Sequence, residues 1–434
     1  MKLSLLTSAL LLAGYAAAAP FHTTSSPTLA PLYTSTETDT IPESYIVVLK
    51  DHVDEARAAA HCGWVNSFHN DNTLAASLLD PTVAAGIKHT FNLPTVAGYT
   101  GKFSDLTLDR IRASPDVAYV ERDSMVYASE LQRNAPWGLA RISHREPLSL
   151  KTFSKYSYDP EGGEGVKVYV IDTGINVEHV DFNGRATWGA TIPDNDEDED
   201  GNGHGSHCAG TIAGKRYGVA KKANPVAVKV LRSSGSGTMS DVVKGVDWSV
   251  EQHKLDESKA AKAGKKYKGA VANMSLGGGK SRALDAAVDG AVEEGVFFAV
   301  AAGNDNRDAC DYSPAASANA LTVGASTVDD DRAYFSNYGK CVDVFAPGLN
   351  IQSIYRGSKY ATATLSGTSM ASPHVAGLAA YFLSLSEVEL SAKELKEKIL
   401  ELATEGVFDS LPKDTPNLLI FNDANADEED QLYK

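Results

Sequence analysis

Four cysteines in 434 residues are too few to form a disulfide scaffold. No apolar run approaches the roughly 20 residues that a membrane-spanning helix requires, so no membrane anchor is expected. Positive charge is also short: 40 Lys and Arg stand against 56 Asp and Glu, leaving a formal charge of -16 at pH 7. That balance offers a polyanion no electrostatic footprint and sets nucleic acid aside as a partner. No internal repeat is visible. What the chain does have is a 43% hydrophobic composition, enough for one large core and a smaller second unit.

Residues 1–19 carry a lysine, an apolar run and a small-residue stretch ending in alanine, the pattern of a signal peptide. The secretory pathway follows, with either a vacuole or the extracellular medium as destination and a compartment that permits one or two disulfides. Residues 20–42, rich in Ser, Thr and Pro, read as a disordered spacer. Residues 43–127 read as a compact α+β unit, with a strand at 45–49, a helix over 53–68 and a helix then a strand at 106–113 and 117–120. Residues 128–134 read as an exposed linker and residues 423–434 as a disordered acidic tail.

Between them, residues 135–422 alternate strand and helix. Strands are predicted at 166–171, 225–231, 270–275 and 296–301, and helices at 204–213, 240–252, 282–294 and 374–385. The lysine-rich stretch 254–268 reads as a solvated helix end and loop. This alternation specifies an α/β fold, a parallel sheet covered by helices on both faces. Sites in such sheets collect at the carboxyl ends of strands, where Asp172 closes one strand and Asn304 follows another.

Hydrolysis of an acyl bond needs a nucleophile, a base, a group that orients the base, and donors for the developing oxyanion. Ser369, in Gly367-Thr368-Ser369-Met370-Ala371-Ser372-Pro373, lies among small residues before an apolar helix whose N-terminus favours negative charge. Pro373 breaks the rule against proline beyond the first helical turn, a violation expected at functional sites. His204 has glycine on each side, leaving room for a substrate strand beside a proton-carrying imidazole. Asp172, at a buried strand end, can hold that imidazole in one tautomer. Each residue alone has a plainer reading: an N-cap serine, a loop histidine, a turn-forming aspartate.

These blocks, in the chain order Asp172, His204, Ser369, resemble the subtilisin family, and Asn304 in Ala301-Ala302-Gly303-Asn304 matches its oxyanion-hole asparagine. Lipase-type hydrolases have another order, and Ser369 lacks the second glycine of their motif. From residue 134 to about 417 the chain is most similar to fungal vacuolar subtilases of the cerevisin type, and residues 43–127 resemble their inhibitor-type propeptide. Ser206 stands where threonine is usual.

The resemblance implies a serine endopeptidase made as a self-processing zymogen. Polypeptides are its substrates, its propeptide is both chaperone and inhibitor, it needs no cofactor, and it acts as a monomer. Ser234, Gly235, Ser236 and Ser275, Leu276, Gly277 would pair with an extended substrate. Ala301, Ala302 and Gly303 would line the primary pocket. With no carboxylate in these segments, a broad preference for large apolar or aromatic P1 residues is expected. A kexin-like processing enzyme is disfavoured because only about fifty residues follow the serine helix, and a catalytically dead relative because every chemical position is retained.

Cys310 and Cys341, the cysteines of this region away from the triad, flank the segment after Asn304 and are expected to pair, with Cys208 free. The acidic run from Asp196 begins like a calcium loop but has His207 at its twelfth position, so no EF-hand is assigned. Asn273-Met274-Ser275, the chain's one glycosylation sequon, falls in a predicted buried strand. Asp343 matches a calcium-ligand position of some subtilases, but a structural carboxylate serves equally, and no metal is assigned.

Overall fold

The computed structural model describes residues 29–34, 40–77, 86–93, 95–124 and 130–424, in two compact units that divide between Val126 and Tyr127. In the first, β1 (Leu32–Tyr33), β2 (Thr40–Leu49), β3 (Gly86–Leu93), β4 (Val96–Lys102) and β5 (Val117–Ser124) form one sheet in the order β1-β5-β2-β4-β3. Only β1 and β5 run parallel. Helices α1 (Glu55–Ser77) and α2 (Asp105–Arg112) complete it, around a core that includes Tyr45, Val47, Val65, Tyr99, Phe103 and Ile111. Of these, the β-branched and aromatic Tyr45, Val47 and Tyr99 lie on strands and suit a pleated, half-buried surface.

In the second unit, β6 (Glu130–Arg133) and β7 (Lys155–Tyr158) pair antiparallel on either side of α3 (Trp137–Ile142). The main sheet contains β8 (Lys167–Asp172), β9 (Thr187–Thr191), β10 (Asn224–Lys229), β11 (Ala270–Met274), β13 (Val296–Ala301), β15 (Leu321–Ser326), β16 (Val344–Pro347), β19 (Thr404–Glu405) and β20 (Leu418–Leu419). Their order is β19-β20-β16-β15-β13-β11-β8-β10-β9, parallel except between β19 and β20. Two short ladders, β12 (Gly278–Gly279) with β14 (Tyr312–Ser313) and β17 (Ile351–Ile354) with β18 (Thr362–Leu365), lie outside it.

Side chains on a strand alternate between faces, and β8 fills two cores in this way. Val168 and Val170 join the core formed with α4 (His204–Ala213) and α7 (Thr368–Leu385). Tyr169 and Ile171 join the core under α5 (Met239–Lys262) and α6 (Arg282–Glu293). The last helix, α8 (Ala392–Leu402), adds Leu395 and Ile399 to the first core. This is the subtilisin-like α/β fold expected from the sequence.

Four local readings change. Residues 32–33, inside the expected spacer, form β1, because Leu32 and Tyr33 find ladder partners in Val120 and Glu121. Residues 130–133, expected as exposed linker, form β6, whose ladder and the Tyr158 hydroxyl on Glu130 Oε2 at 2.9 Å replace missing apolar periodicity. The fifth helix runs to Lys262, through residues read partly as loop, because Glu, Lys and Ala are strong helix formers without burial. The seventh begins at Thr368, not at residue 374. The signal-peptide pattern at 1–19, linker residues 128–129 and tail residues 425–434 lie outside the described residues, whereas Asp423 and Ala424 are described and Ala424 is buried.

Candidate active site

Asp172 ends β8 with no exposure, and His204 opens α4 above it. His204 Nδ1 lies 2.8 Å from Asp172 Oδ1 and 3.0 Å from Oδ2, which fixes the proton on Nδ1 and leaves Nε2 as the basic nitrogen. Burial opposes a charged ring, but the Asp172 charge and hydrogen bond, with Asp200 behind them, outweigh it and raise the His204 pKa above the ordinary value. Gly205 is needed here for a reason other than access by substrate. A Cβ on it would meet the Gly174 carbonyl oxygen at 2.2 Å, so only glycine lets α4 approach the β8 end this closely.

Ser369 lies in the first turn of α7, which packs against α4. Its hydroxyl donates to the Ser275 carbonyl at 3.0 Å. Pro373 sits four residues on and has no N–H to give the Ser369 carbonyl, the acceptor an ordinary residue there would use. That freed oxygen takes a hydrogen bond from Ser275 Oγ at 2.8 Å and one from Cys208 Sγ at 3.4 Å. Ser275 Oγ in turn contacts Ser372 Oγ at 3.0 Å, which donates to Asn273 Oδ1 at 2.8 Å. The proline thus ties the serine backbone to β11.

Asn304 Oδ1 accepts from the Thr368 N–H at 2.8 Å and from Thr368 Oγ1 at 3.0 Å. A backbone N–H can only donate, so the amide orientation is determined and Nδ2 faces away as a donor. Asn304 is exposed, whereas its neighbours Ala301 and Ala302 are buried.

A cleft of about 480 Å³ is lined by His204, Gly235, Ser236, Ser275, Leu276 and Gly277, with Leu231, Met239, Val242 and Leu284 giving it an apolar floor. The expected substrate edges therefore border one space, except for Ser234, whose hydroxyl instead contacts Ser236 Oγ at 2.8 Å. Ala301, Ala302 and Gly303 do not line this cleft. Ala302, with no exposure, packs into a satellite core beside Phe345, one residue past the end of β13.

Cys310 and Cys341 form a disulfide with Cα atoms 5.3 Å apart; Cys208 is a buried free thiol. Asp343 Oδ2 accepts from the Thr322 N–H at 2.8 Å and from Lys396 Nζ at 3.0 Å, and the same ammonium reaches the Ala320 carbonyl at 2.7 Å. An internal cation therefore neutralises this carboxylate. Asn273, the sequon asparagine, is fully buried and donates to Ser275 Oγ at 2.9 Å.

Two residues near the site escaped sequence reasoning. Lys229, fully buried at the end of β10, donates to the Thr173 and Leu231 carbonyls at 3.0 Å each; a charged residue closing an apolar strand was its only signal. Asp200, passed over as part of an acidic run, is buried beneath the start of α4.

A parallel sheet with a carboxylate-held imidazole and a helix-start serine at its carboxyl edge is the arrangement of the serine hydrolases of α/β type. Comparison narrows this. The subtilase family profile matches residues 163–424, and the peptidase inhibitor I9 profile matches residues 44–129. The subtilisin-like serine protease Pen c 2 of Penicillium citrinum is 58% identical over 414 residues, 91% of this chain and 90% of that one. Alkaline protease 2 of Aspergillus fumigatus is 58% identical over 91% of this chain and 83% of its own. A crystal structure of a cold-adapted subtilisin-like serine proteinase aligns with TM-score 0.59 and 46% identity, covering 67% of this chain and 98% of that one. The chain belongs to the subtilase family: it is a subtilisin-like serine protease with an I9-type propeptide domain.

Proposed function

We propose that Asp172, His204 and Ser369 are the catalytic triad of a broad endopeptidase and that Asn304 is its oxyanion donor. The observation that carries this is the double approach of Asp172 to His204 Nδ1, which leaves Nε2 as acceptor. The Ser369 hydroxyl turns from the Ser275 carbonyl to His204 Nε2 and gives up its proton as Oγ attacks the substrate carbonyl carbon. The oxyanion takes hydrogen bonds from Asn304 Nδ2 and the Ser369 N–H. The imidazolium then protonates the leaving amine, and water repeats the sequence on the acyl-enzyme. A serine-directed phosphonate should label Ser369 in the mature chain; turnover of denatured protein by a Ser369→Ala chain would overturn the assignment.

Segment 275–277 and Gly235 and Ser236, which border the cleft, with Ser234 beside them, hold the substrate as an added strand. With no carboxylate in 234–236, 275–277 or 301–303, large apolar or aromatic P1 residues are favoured over Lys or Arg, which a peptide library would measure. The I9-type unit is released by self-cleavage between Tyr127 and Gln132 and inhibits until degraded. In cells lacking other vacuolar proteases, Ser369→Ala should accumulate as a precursor missing only its signal peptide. The pattern at 1–19 supports the secretory pathway; the vacuole rests on the motif resemblance alone, since the relatives found are fungal subtilisin-like and alkaline proteases, and N-terminal sequencing from both fractions tests the destination.

A further inference from the structure

We propose that Asp200 is a positioning residue for His204: its buried carboxylate gathers the start of α4 and the residue after Asp172 into one unit, fixing the imidazole between Asp172 and Ser369. This rests on His204 being the catalytic base.

The first N–H groups of a helix have no intrahelical partner. In α4 the Gly203 cap has no side chain to supply one, and the partners come from outside. His204 N donates to Asn202 Oδ1 at 3.3 Å, Gly205 N to Thr173 Oγ1 at 2.9 Å, and Ser206 N to Asp200 Oδ2 at 2.9 Å. Asp200 Oδ1 also accepts from Thr173 Oγ1 at 2.8 Å, Asn202 N at 3.1 Å and Gly203 N at 2.7 Å. Its Oδ2 accepts from Ser206 Oγ at 2.5 Å. All five contacts to this carboxylate are donors, and none requires a proton on it.

Two hydroxyls extend the reach of Asp200. Thr173 Oγ1 accepts from Gly205 N and passes its proton toward Asp200, while the Thr173 N–H binds Asp172 Oδ1 at 2.7 Å. Ser206 Oγ accepts from Asn176 N at 2.8 Å and donates to Asp200. Asp172 and His204 are therefore braced by one shared acceptor. This also explains why serine can stand where threonine is usual: the hydroxyl makes the bonds.

The charge matters as well as the geometry. The titratable groups around His204 are Asp172 from β8, Asp200 from the loop before α4, and His207 and Cys208 from α4 itself. Burial holds His207 neutral, with a pKa of about 4, and pushes the Cys208 thiol well up. At neutral pH only Asp172 and Asp200 favour the imidazolium.

The test uses the full chain, matured, with kcat, KM and the pH profile of kcat/KM measured for Asp200→Asn, Ser206→Ala and Ser206→Thr. Asp200→Asn should lower kcat 10- to 100-fold with KM within twofold, and move the acid limb to lower pH because a negative charge near the imidazolium is gone. Ser206→Ala should lower kcat at least threefold, and Ser206→Thr should restore it. A folded Asp200→Asn enzyme with a lower Tm but wild-type kcat and acid limb would overturn the proposal, leaving Asp200 a helix cap only. If Asp200→Asn does not mature, equal kcat in Ser206→Ala and Ser206→Thr overturns it. His204→Ala is the control: turnover retained there would refute the base assignment instead.

Discussion

The two helices that carry the proposed base and nucleophile begin in opposite ways. At α4 every leading N–H is consumed, by Asn202, Thr173 and Asp200 in turn. At α7 the Thr368 N–H binds Asn304, and the Ser369 N–H, in the first turn, has no intrahelical acceptor and is, in the proposed mechanism, kept for the oxyanion. The contrast continues in the carbonyls, since Pro373 releases that of Ser369 to Ser275 and Cys208. A base must hold one orientation through both proton transfers, so its helix is saturated. A nucleophile must leave donors unspent for a charge that exists only in the transition state.

Removing either partner should collapse this division. His204→Ala and Ser369→Ala should each lower kcat by about 10⁶-fold, and the double variant little more, as is known for subtilisin itself. Additive losses would mean the two helices act independently. Next in size, Asn304→Leu should lower kcat by about 10²–10³-fold, the range known for such a donor in subtilisin. KM should hardly change, because the interaction exists only with the oxyanion; a proportional rise in KM would place Asn304 in ground-state binding.

Acid should distinguish the histidines. His204 has a raised pKa, so neutral base and activity disappear as pH falls through a value above the ordinary 6.5, before unfolding begins. His207 and His374 are buried with pKa values lowered to about 4. Their native states exclude a proton that the unfolded chain binds, so stability present above pH 6.5 is lost as pH falls toward 4, on the order of 3 kcal/mol each. Tm measured from pH 7 to 4.5 should fall steeply, and His374→Gln should flatten the fall; an unchanged slope would reject this source of acid sensitivity.

The smallest effect concerns Asp343. Because Lys396 neutralises it, a chelator should leave Tm unchanged, whereas Lys396→Met should cost about 1–3 kcal/mol by stranding a charged acceptor. A drop in Tm with chelator alone would count against this role.

Sequence patterns exposed what periodicity and chain order control. The apolar run along 166–171 located β8 within a residue, and the helix expected from residue 204 matches the start of α4. The start of α7 was hidden because Pro373 looks like a helix boundary, although its lost bond is compensated by Ser275 from another element. Asp200 was hidden because an acidic run looks solvated until the fold turns one member inward, and Lys229 because its carbonyl partners lie on loops no pattern joins. The packing of Ala302 into a satellite core was hidden as well, since one residue past a strand apolar on both faces no pattern tells which way a side chain turns.

The pairing of β6 with β7 bears on the direction of maturation. A peptide segment can lie extended in a protease cleft or be a rung of a ladder, but its backbone N–H and C=O groups cannot serve both at once. Residues Glu130–Gln132 fall inside the proposed cleavage window and inside β6. In the proposed self-cleavage, a bond cut just before Glu130 would leave an end already paired with Tyr158 through Tyr156, and the new terminus would be held away from religation. Under that mechanism the strand would act as a ratchet, turning a reversible peptide-bond exchange into a one-way step.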